Sequence, residues 1–177
     1  MSKAVIIPTG DEIRDGIVLD TDSGVVMTAL LRLDPCMEVL RLAPVQDLED
    51  RITDTIRVQI AAGYDYIILI GGSGGGHRFS PTLGKDYTHT ALDELLTDKY
   101  TAEIYGKNGH LWCRLLLGHA GNSLVFNLPG PRREAEAAIR VFVEGRSRNL
   151  PEDRILKNMQ QAVMALYGDV THVEHLL

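Results

Sequence analysis

The fold is decided by one stretch of sequence, in which YDYIILI at residues 64–70 runs directly into GGSGGG at residues 71–76, the glycine loop. A short apolar run rich in β-branched residues predicts a buried parallel strand. In open α/β sheets, ligands bind beyond the carboxyl ends of the strands, and glycine amides in such a turn form a concave nest for phosphate or another anion. A tight structural turn is the alternative. The residues that would line the nest are Gly71, Gly72, Ser73, Gly74 and Gly75.

The composition is that of a single globular domain. The chain has 177 residues, of which 45% are hydrophobic and 24% charged, which excludes a disordered chain and a disulfide scaffold. A net charge of −6 argues against a general nucleic-acid or membrane-surface binder. The two cysteines, Cys36 and Cys113, form no CxxC pair, which argues against a structural zinc site. Because the sequence contains no signal-peptide pattern and no apolar run of membrane-spanning length, we expect a cytoplasmic protein.

Apolar periodicity predicts alternating strands and helices. Strands are predicted at residues 4–7, 38–42, 66–70, 110–117 and 123–128, and residues 100–110 are predicted to be irregular. Helices are predicted after the caps Asp22 or Ser23, after the cap Asp47, over residues 87–96, from Pro131 to a stop at Gly145, and from Pro151 onward. This alternation predicts an α/β sandwich with a mostly parallel sheet, to which strands after residue 110 add an antiparallel edge. We expect one domain over residues 1–145 and a C-terminal helical extension, residues 146–177, packed on it.

Further polar clusters follow the first two predicted strands. Residues 9–12, TGDE, and residues 20–23, DTDS, combine carboxylates with small hydroxyl residues after the first strand, so they are expected to flank the glycine loop at the same sheet edge. A turn followed by a helix cap is the alternative interpretation. Asp47 follows the second strand, where a helix cap and a functional carboxylate are equally good interpretations.

Two more motifs come after the glycine loop. Residues 85–88, KDYT, place Asp86 just before a predicted helix, so a solvent-exposed helix start is the alternative to a functional carboxylate. Residues 127–131, NLPGP, carry a strand into a rigid turn at the start of a helix. Such a start offers free N–H groups to an anion, which makes Pro129 and Gly130 candidate binding residues.

Taken in order, these motifs resemble the molybdopterin-binding domain of molybdenum-cofactor biosynthesis proteins, the MoaB/Mog-like family. The resemblance extends over roughly residues 4–143. It rests on TGDE and DTDS, on the strand-end Asp47, on DYIILIGGSG at residues 65–74, on DYT at residues 86–88, and on LPG at residues 128–130. The chain departs from the family pattern in three places. Asp22 stands where the family has asparagine, residues 75–85 form an insertion before Asp86, and Pro131 follows LPG directly.

The resemblance implies a three-layer α/β/α sandwich and a transfer of AMP from ATP to the phosphate of molybdopterin with Mg²⁺. It implies that Asp47 and Asp86 are the catalytic carboxylates and the Mg²⁺ ligands, and that the chain forms a homo-oligomer, in the form of a trimer. The residues implied to bind molybdopterin and ATP are Thr9, Gly10, Asp11, Glu12, Ser23, Gly71, Gly72, Ser73, Gly74, Gly75, Pro129 and Gly130. Three alternatives stay open: a molybdate-inserting transferase-like domain, hydrolysis of a nucleotide pyrophosphate, and a non-catalytic protein that binds pterin or nucleotide.

The substitution Asp86→Asn tests the activity that the resemblance implies. We expect the variant to fold as the parent does and to lose most adenylyl transfer, because a neutral amide replaces an anionic ligand of Mg²⁺. The measurement is the amount of adenylylated molybdopterin formed with Mg-ATP, with circular dichroism as the control for folding. Undiminished turnover would contradict the assignment.

Overall fold

The structure is a computed structural model that describes residues 1–74, 87–107, 109 and 111–168. The strands are β1 (Lys3–Pro8), β2 (Glu38–Arg41), β3 (Tyr66–Ile70), β4 (Asp98–Tyr105), β5 (Leu111–Ala120) and β6 (Ser123–Leu128). The helices are α1 (Asp11–Arg14), α2 (Asp22–Leu33), α3 (Glu49–Ala61), α4 (Tyr87–Leu95), α5 (Arg132–Ser147) and α6 (Glu152–Met164). The predictions for Gly75 and Asp86 lie outside the described residues.

The described strands form one mostly parallel sheet in the order β2-β1-β3-β6-β5-β4. Strands β2, β1, β3 and β6 run parallel to one another. Helices return the chain to the same edge of the sheet before β2 and before β3. Strand β6 has the same direction because it follows the reversed strand β5. Within the described ranges, β5 alone runs in the direction opposite to the other strands, and the tight turn at Gly121 and Asn122 joins it to β6 as a hairpin. The predicted α/β fold is confirmed, although β6 lies inside the sheet beside β3 rather than in an antiparallel edge.

Helices cover both faces of this sheet, which makes a three-layer α/β/α sandwich. Because side chains alternate along a strand, Ala4 and Ile6 of β1 pack with α2, α5 and α6 in one apolar cluster, whereas Val5 and Ile7 pack with α3 and α4 in the other. Strand β3 is buried on both faces in the same way, which explains its uninterrupted apolar sequence. Among the helices of the described ranges, none combines the length and the apolar character that a membrane span needs.

The prediction that residues 100–110 are irregular is wrong for most of that range, because Asp98–Tyr105 form the edge strand β4. The first half of β4 is exposed, and only Ala102 and Ile104 are buried. A half-exposed edge strand carries little apolar signal in its own sequence, and its pairing with β5 holds it in place. After β4 the chain turns, and the N–H of Gly109 donates to the carbonyl of Gly106 at 2.9 Å.

The starts of two helices differ from the predicted ones. Helix α3 begins at Glu49, so Asp47 is not its cap. At the start of α2, the carboxylate of Asp20 accepts the N–H groups of Asp22 and Ser23 at 3.2 and 3.0 Å. Asp20 therefore satisfies the free donors that we had expected Asp22 or Ser23 to satisfy. The single turn α1 after β1 was not predicted.

Gly145 lies inside α5 instead of ending it, contrary to the sequence prediction. A methyl group at this position would lie 2.6 Å from Cγ1 of Ile155 on α6, so the glycine lets the two helices approach closely. Helix α6 thereby places Ile155, Met159 and Val163 in the same apolar cluster as α2 and α5. The boundary expected at residue 145 falls within this continuous helix.

Replacing Gly145 by alanine should destabilise the protein. Alanine favours a helix over glycine by about 1 kcal/mol, but its methyl group would overlap Ile155 at a cost of about 1–3 kcal/mol. The matched control is Gly24→Ala in α2, where nothing lies within 4 Å of the added methyl group. There we expect a gain of about 0.5–1 kcal/mol. Urea unfolding measures both free energies, and two equally stable variants would contradict the close helix contact.

Candidate functional site

Three strands end together at one edge of the sheet, the carboxyl edge. The N–H of Thr9, after β1, donates to the carbonyl of Ile70 at 2.9 Å, and the N–H of Gly71 donates to the carbonyl of Leu128 at 3.1 Å. Gly71 has a φ of +101°, and a Cβ there would lie 2.9 Å from the carbonyl oxygen of Thr9. A Cβ on Gly130 would lie 3.7 Å from the Cα of Gly71. The expectation that the Thr9 cluster flanks the glycine loop is therefore confirmed, and Gly130 lies there too.

The described part of the glycine loop, residues 71–74, crosses the end of β6 and attaches to β5. The carbonyl of Ser73 accepts the N–H of Arg114 at 2.7 Å and lies 2.9 Å from Nε2 of His89. Only 3% of Ser73 is exposed, so this attachment is part of the protein interior. In the described part of the chain, the amides of Gly72, Ser73 and Gly74 donate to no other protein group. They are therefore available as donors to an anion.

The attachment is possible because β5 and β6 separate before they reach the carboxyl edge. Their last paired residues are Leu117 and Phe126. Beyond this pair, the fully buried side chain of Asn127 forms the hydrogen bonds to β5 in place of the backbone. Its Oδ1 accepts the N–H of Leu116 at 2.7 Å, and its Nδ2 donates to the carbonyl of Arg114 at 2.9 Å. The N–H of Arg114 is thereby left for Ser73.

The first turn of α4 contacts the end of β1 as well as the glycine loop. The hydroxyl of Thr88, which is fully buried, lies 3.5 Å from the hydroxyl of Thr9. His89, the next residue, is 6% exposed and reaches Ser73. Thr88 belongs to the DYT motif, which indicated no role for it, and nothing in the sequence indicated a role for His89. For Asn127, the signal was a polar residue in an otherwise apolar strand.

Acidic residues lie on the other side of the carboxyl edge, around the start of α2. The Oδ2 atom of Asp20 accepts from Nη2 of Arg41 at 2.8 Å and from the hydroxyl of Ser23 at 2.5 Å. Burial opposes the ionisation of Asp20, but the bonds from Ser23 and Arg41 outweigh it and hold the pKa of this carboxyl below its usual value. Burial raises the pKa of Asp22, and the positive charge of Arg132 on α5 offsets part of this increase. The starts of α2 and α5 therefore face each other.

The remaining predicted carboxylates lie near the end of β1. Asp11 is 3.2 Å from Nη1 of Arg14, and Glu12 is the next residue of the same helical turn, α1. Asp47 is half-buried and follows Val45. Val45 itself is tied to the end of β1, because its N–H donates to Pro8 at 2.8 Å and its carbonyl accepts from Gly10 at 3.2 Å. In the described ranges, no group of three or more His, Cys, Asp or Glu residues could hold a metal ion.

The arrangement suits a ligand that has both an anionic end and polar donors. Free amides of the glycine loop, together with the start of α5 and the exposed Arg132, favour an anion on one side. Carboxylates such as Asp22 and Asp47 favour a cation or N–H and O–H donors on the other side. The single carboxylates do not form a closed metal cage, but Mg²⁺ needs only one or two of them when phosphate oxygens complete its shell.

A separate cleft of about 460 Å³ lies at the opposite edge of the sheet, where Asp65 precedes β3 and Tyr66 begins it. Its charged groups are largely paired with one another. His119 lies 2.9 Å from Glu152, and Arg146 lies 3.8 Å from the same carboxylate. We place the candidate site at the carboxyl edge because the glycine-loop amides that have no protein partner in the described ranges are there.

Comparison with known proteins connects this geometry with a family. A family model described as "Probable molybdopterin binding domain" matches residues 5–149. The "Molybdenum cofactor biosynthesis bifunctional protein" of Chlorobaculum tepidum is 27% identical over 153 residues, which cover 80% of this chain and 45% of that relative. The chain thus spans less than half the length of the curated relative that it matches.

Solved structures share the fold at low sequence identity. A molybdopterin biosynthesis protein from Mycobacterium abscessus has a TM-score of 0.62 and 18% identity, covering 93% of this chain and 98% of that one. The tungsten cofactor synthesizing protein MoaB from Pyrococcus furiosus has a TM-score of 0.61 and 15% identity, covering 90% and 97%. Similarity at this level of identity shows the fold alone.

The substitution Asn127→Ala should weaken the whole carboxyl edge. It would leave the N–H of Leu116 and the backbone carbonyl oxygen of Arg114 without their buried partner. We expect this to lower the free energy of unfolding by about 2–4 kcal/mol. Asn122→Ala, in the exposed turn between β5 and β6, is the matched control and should change stability by less than about 0.5 kcal/mol. Chemical denaturation compares the two, and similar losses would contradict the bridging role of Asn127.

Proposed function

Because this chain belongs to the molybdopterin-binding domain family of molybdenum cofactor biosynthesis, we propose that it binds molybdopterin and transfers AMP to it from Mg-ATP. The observation that carries the proposal is the row of amides at Gly72, Ser73 and Gly74, which donate to no other protein group among the described residues. Molybdopterin ends in a phosphate, and ATP carries three. Backbone amides in a nest are a suitable binding site for such a group.

The start of α5 supports the same ligand. Pro131 precedes the first turn of α5, and Gly130 lies close to Gly71. The free N–H groups at a helix start and the positive end of the helix dipole both favour an anion. The exposed Arg132 adds a full positive charge at this edge. A phosphate between the glycine loop and α5 would therefore meet donors from two elements.

The reaction requires positioning more than covalent chemistry from the protein. An oxygen of the molybdopterin phosphate forms a bond to the α-phosphorus of ATP, the bond from that phosphorus to the bridging oxygen breaks, and pyrophosphate leaves. The glycine-loop amides would hold phosphate oxygens in line and offset their charge. The acidic side, with Asp22 and Asp47, would hold polar donors of the pterin or a cation.

Asp47 suits the metal that the family implies. It is a half-buried carboxylate on a segment that hydrogen-bonds to the end of β1. Mg²⁺, when bound, supplies positive charge against the phosphates, and it prefers such oxygen ligands. We propose Asp47 as one ligand and keep Asp86 as the second on sequence grounds. The homotrimer stays a prediction that light scattering tests.

The three candidate activities have distinct products, so one set of assays separates them from one another and from non-catalytic binding. Adenylyl transfer gives adenylylated molybdopterin and pyrophosphate only when both substrates are present. Nucleotide hydrolysis gives AMP without molybdopterin, and metal insertion consumes molybdate. A non-catalytic binder gives none of these products, and calorimetry with millimolar Mg-ATP shows whether it retains the nucleotide.

Asp47→Asn should lower the rate of adenylyl transfer by about 100-fold, because a neutral amide holds less tightly the Mg²⁺ whose charge balances the phosphates in the transition state. The measurement is pyrophosphate release with molybdopterin and Mg-ATP. The control is Asp50→Asn, an exposed acid in the first turn of α3, which should keep the parental rate. If both variants keep it, Asp47 has no part in the reaction, and if the parent forms no adenylylated product, the proposed activity fails.

A further inference from the structure

The first turn of α4 supports the glycine loop from inside the protein through His89. This residue is 6% exposed, and its Nε2 lies 2.9 Å from the carbonyl oxygen of Ser73. A carbonyl oxygen can only accept, so Nε2 carries the proton and donates it to this bond. None of the motifs that identify the family in this sequence assigns a role to His89.

The same carbonyl accepts a second hydrogen bond, from the N–H of Arg114 at 2.7 Å. A carbonyl oxygen has two lone pairs, so both of its bonding positions are used. The two donors come from α4 and β5, which are different elements. Together they fix the direction of the Ser73 carbonyl toward the interior.

The direction of the Ser73 carbonyl also fixes the direction of the next N–H, that of Gly74. The peptide unit between Ser73 and Gly74 is planar and trans, so its C=O and its N–H point in opposite directions. A carbonyl held toward His89 and Arg114 therefore turns the N–H of Gly74 away from them. This N–H donates to no other protein group among the described residues.

We propose that His89 is a positioning residue that holds the Ser73 carbonyl inward and so presents the Gly74 amide to an anionic group of the ligand. The identity of that group as a phosphate rests on the proposed function. The orientation of the peptide by His89 rests on the hydrogen bonds alone. His89 does not touch the ligand and acts through the Ser73–Gly74 peptide.

The surroundings of His89 suit this role. Burial is the largest influence on its pKa and lowers it, and the positive charge of Arg114 acts in the same direction. The hydrogen bonds to the backbone of Ser73 and Arg114 raise the pKa by less, so the net shift favours the neutral ring, which has one proton to donate. Asp93 on α4 acts the other way, but it is engaged with Arg114 at 2.6 Å and with Lys99 at 2.9 Å. A neutral imidazole with its proton on Nε2 is the form that the Ser73 contact requires.

The second donor makes the proposal testable without loss of the fold. When His89 is replaced, the bond from Arg114 to Ser73 remains and keeps the loop attached to β5. His89→Leu removes the imidazole donor, and His89→Gln replaces it with an amide N–H. The control is His119→Leu, which removes a histidine paired with Glu152 at the opposite edge of the sheet.

Calorimetry with inorganic pyrophosphate as the probe measures the effect on anion binding. We expect His89→Leu to bind roughly tenfold more weakly than the parent, which corresponds to the loss of one hydrogen bond. His89→Gln should recover most of that affinity, and His119→Leu should bind as the parent does. Parental affinity in His89→Leu, or equal weakening in all three variants, would overturn the proposal.

Amide hydrogen exchange separates this proposal from the proposed function. Without any ligand, the peptide that covers residues 71–74 should exchange faster in His89→Leu and near the parental rate in His89→Gln. If the parent binds no pyrophosphate while this pattern holds, the phosphate site fails and the loop support by His89 stands. If exchange in His89→Leu equals that of the parent, the loop support is overturned whatever the binding result.

Discussion

The chain that leaves β3 can pass close to Thr9, at the end of β1, only because residue 71 has no side chain. A Cβ on Gly71 would lie 2.9 Å from the Thr9 carbonyl, and its φ of +101° is one that other residues rarely adopt. This approach lets the chain leave β3, turn over the end of β6 and reach β5. The rest of the candidate site depends on that path, since it brings Ser73 against Arg114 and leaves the neighbouring amides without protein partners among the described residues.

The site is built where regular strand pairing stops. Asn127 replaces part of the β5–β6 ladder with its side-chain amide, which satisfies Leu116 and Arg114 in a place that water does not reach. The N–H of Arg114 takes no part in this bridge and donates to the carbonyl of Ser73 in the glycine loop. A fully paired sheet would offer no such position. The buried polar network is therefore the means by which a rigid sheet presents a loop of backbone donors.

Much of the fold was predictable because its signals are local. The apolar run at residues 66–70 and the turn after β5 depend on neighbours in sequence. Strand β4 was missed because it is half-exposed and held by β5, and the end of α5 was misplaced because Gly145 serves contact with Ile155 rather than a helix stop. In both cases a distant partner outweighed the local preference.

The sequence alone indicated where the candidate site lies, since the glycine loop and the motifs at neighbouring strand ends point to one sheet edge and to one family. It could not determine which residues orient the loop. His89 is sixteen residues from Ser73, and Arg114 lies on a strand that follows much later. Only the tertiary structure brings them to the same carbonyl, because hydrogen bonds between distant segments leave no periodic pattern in the chain.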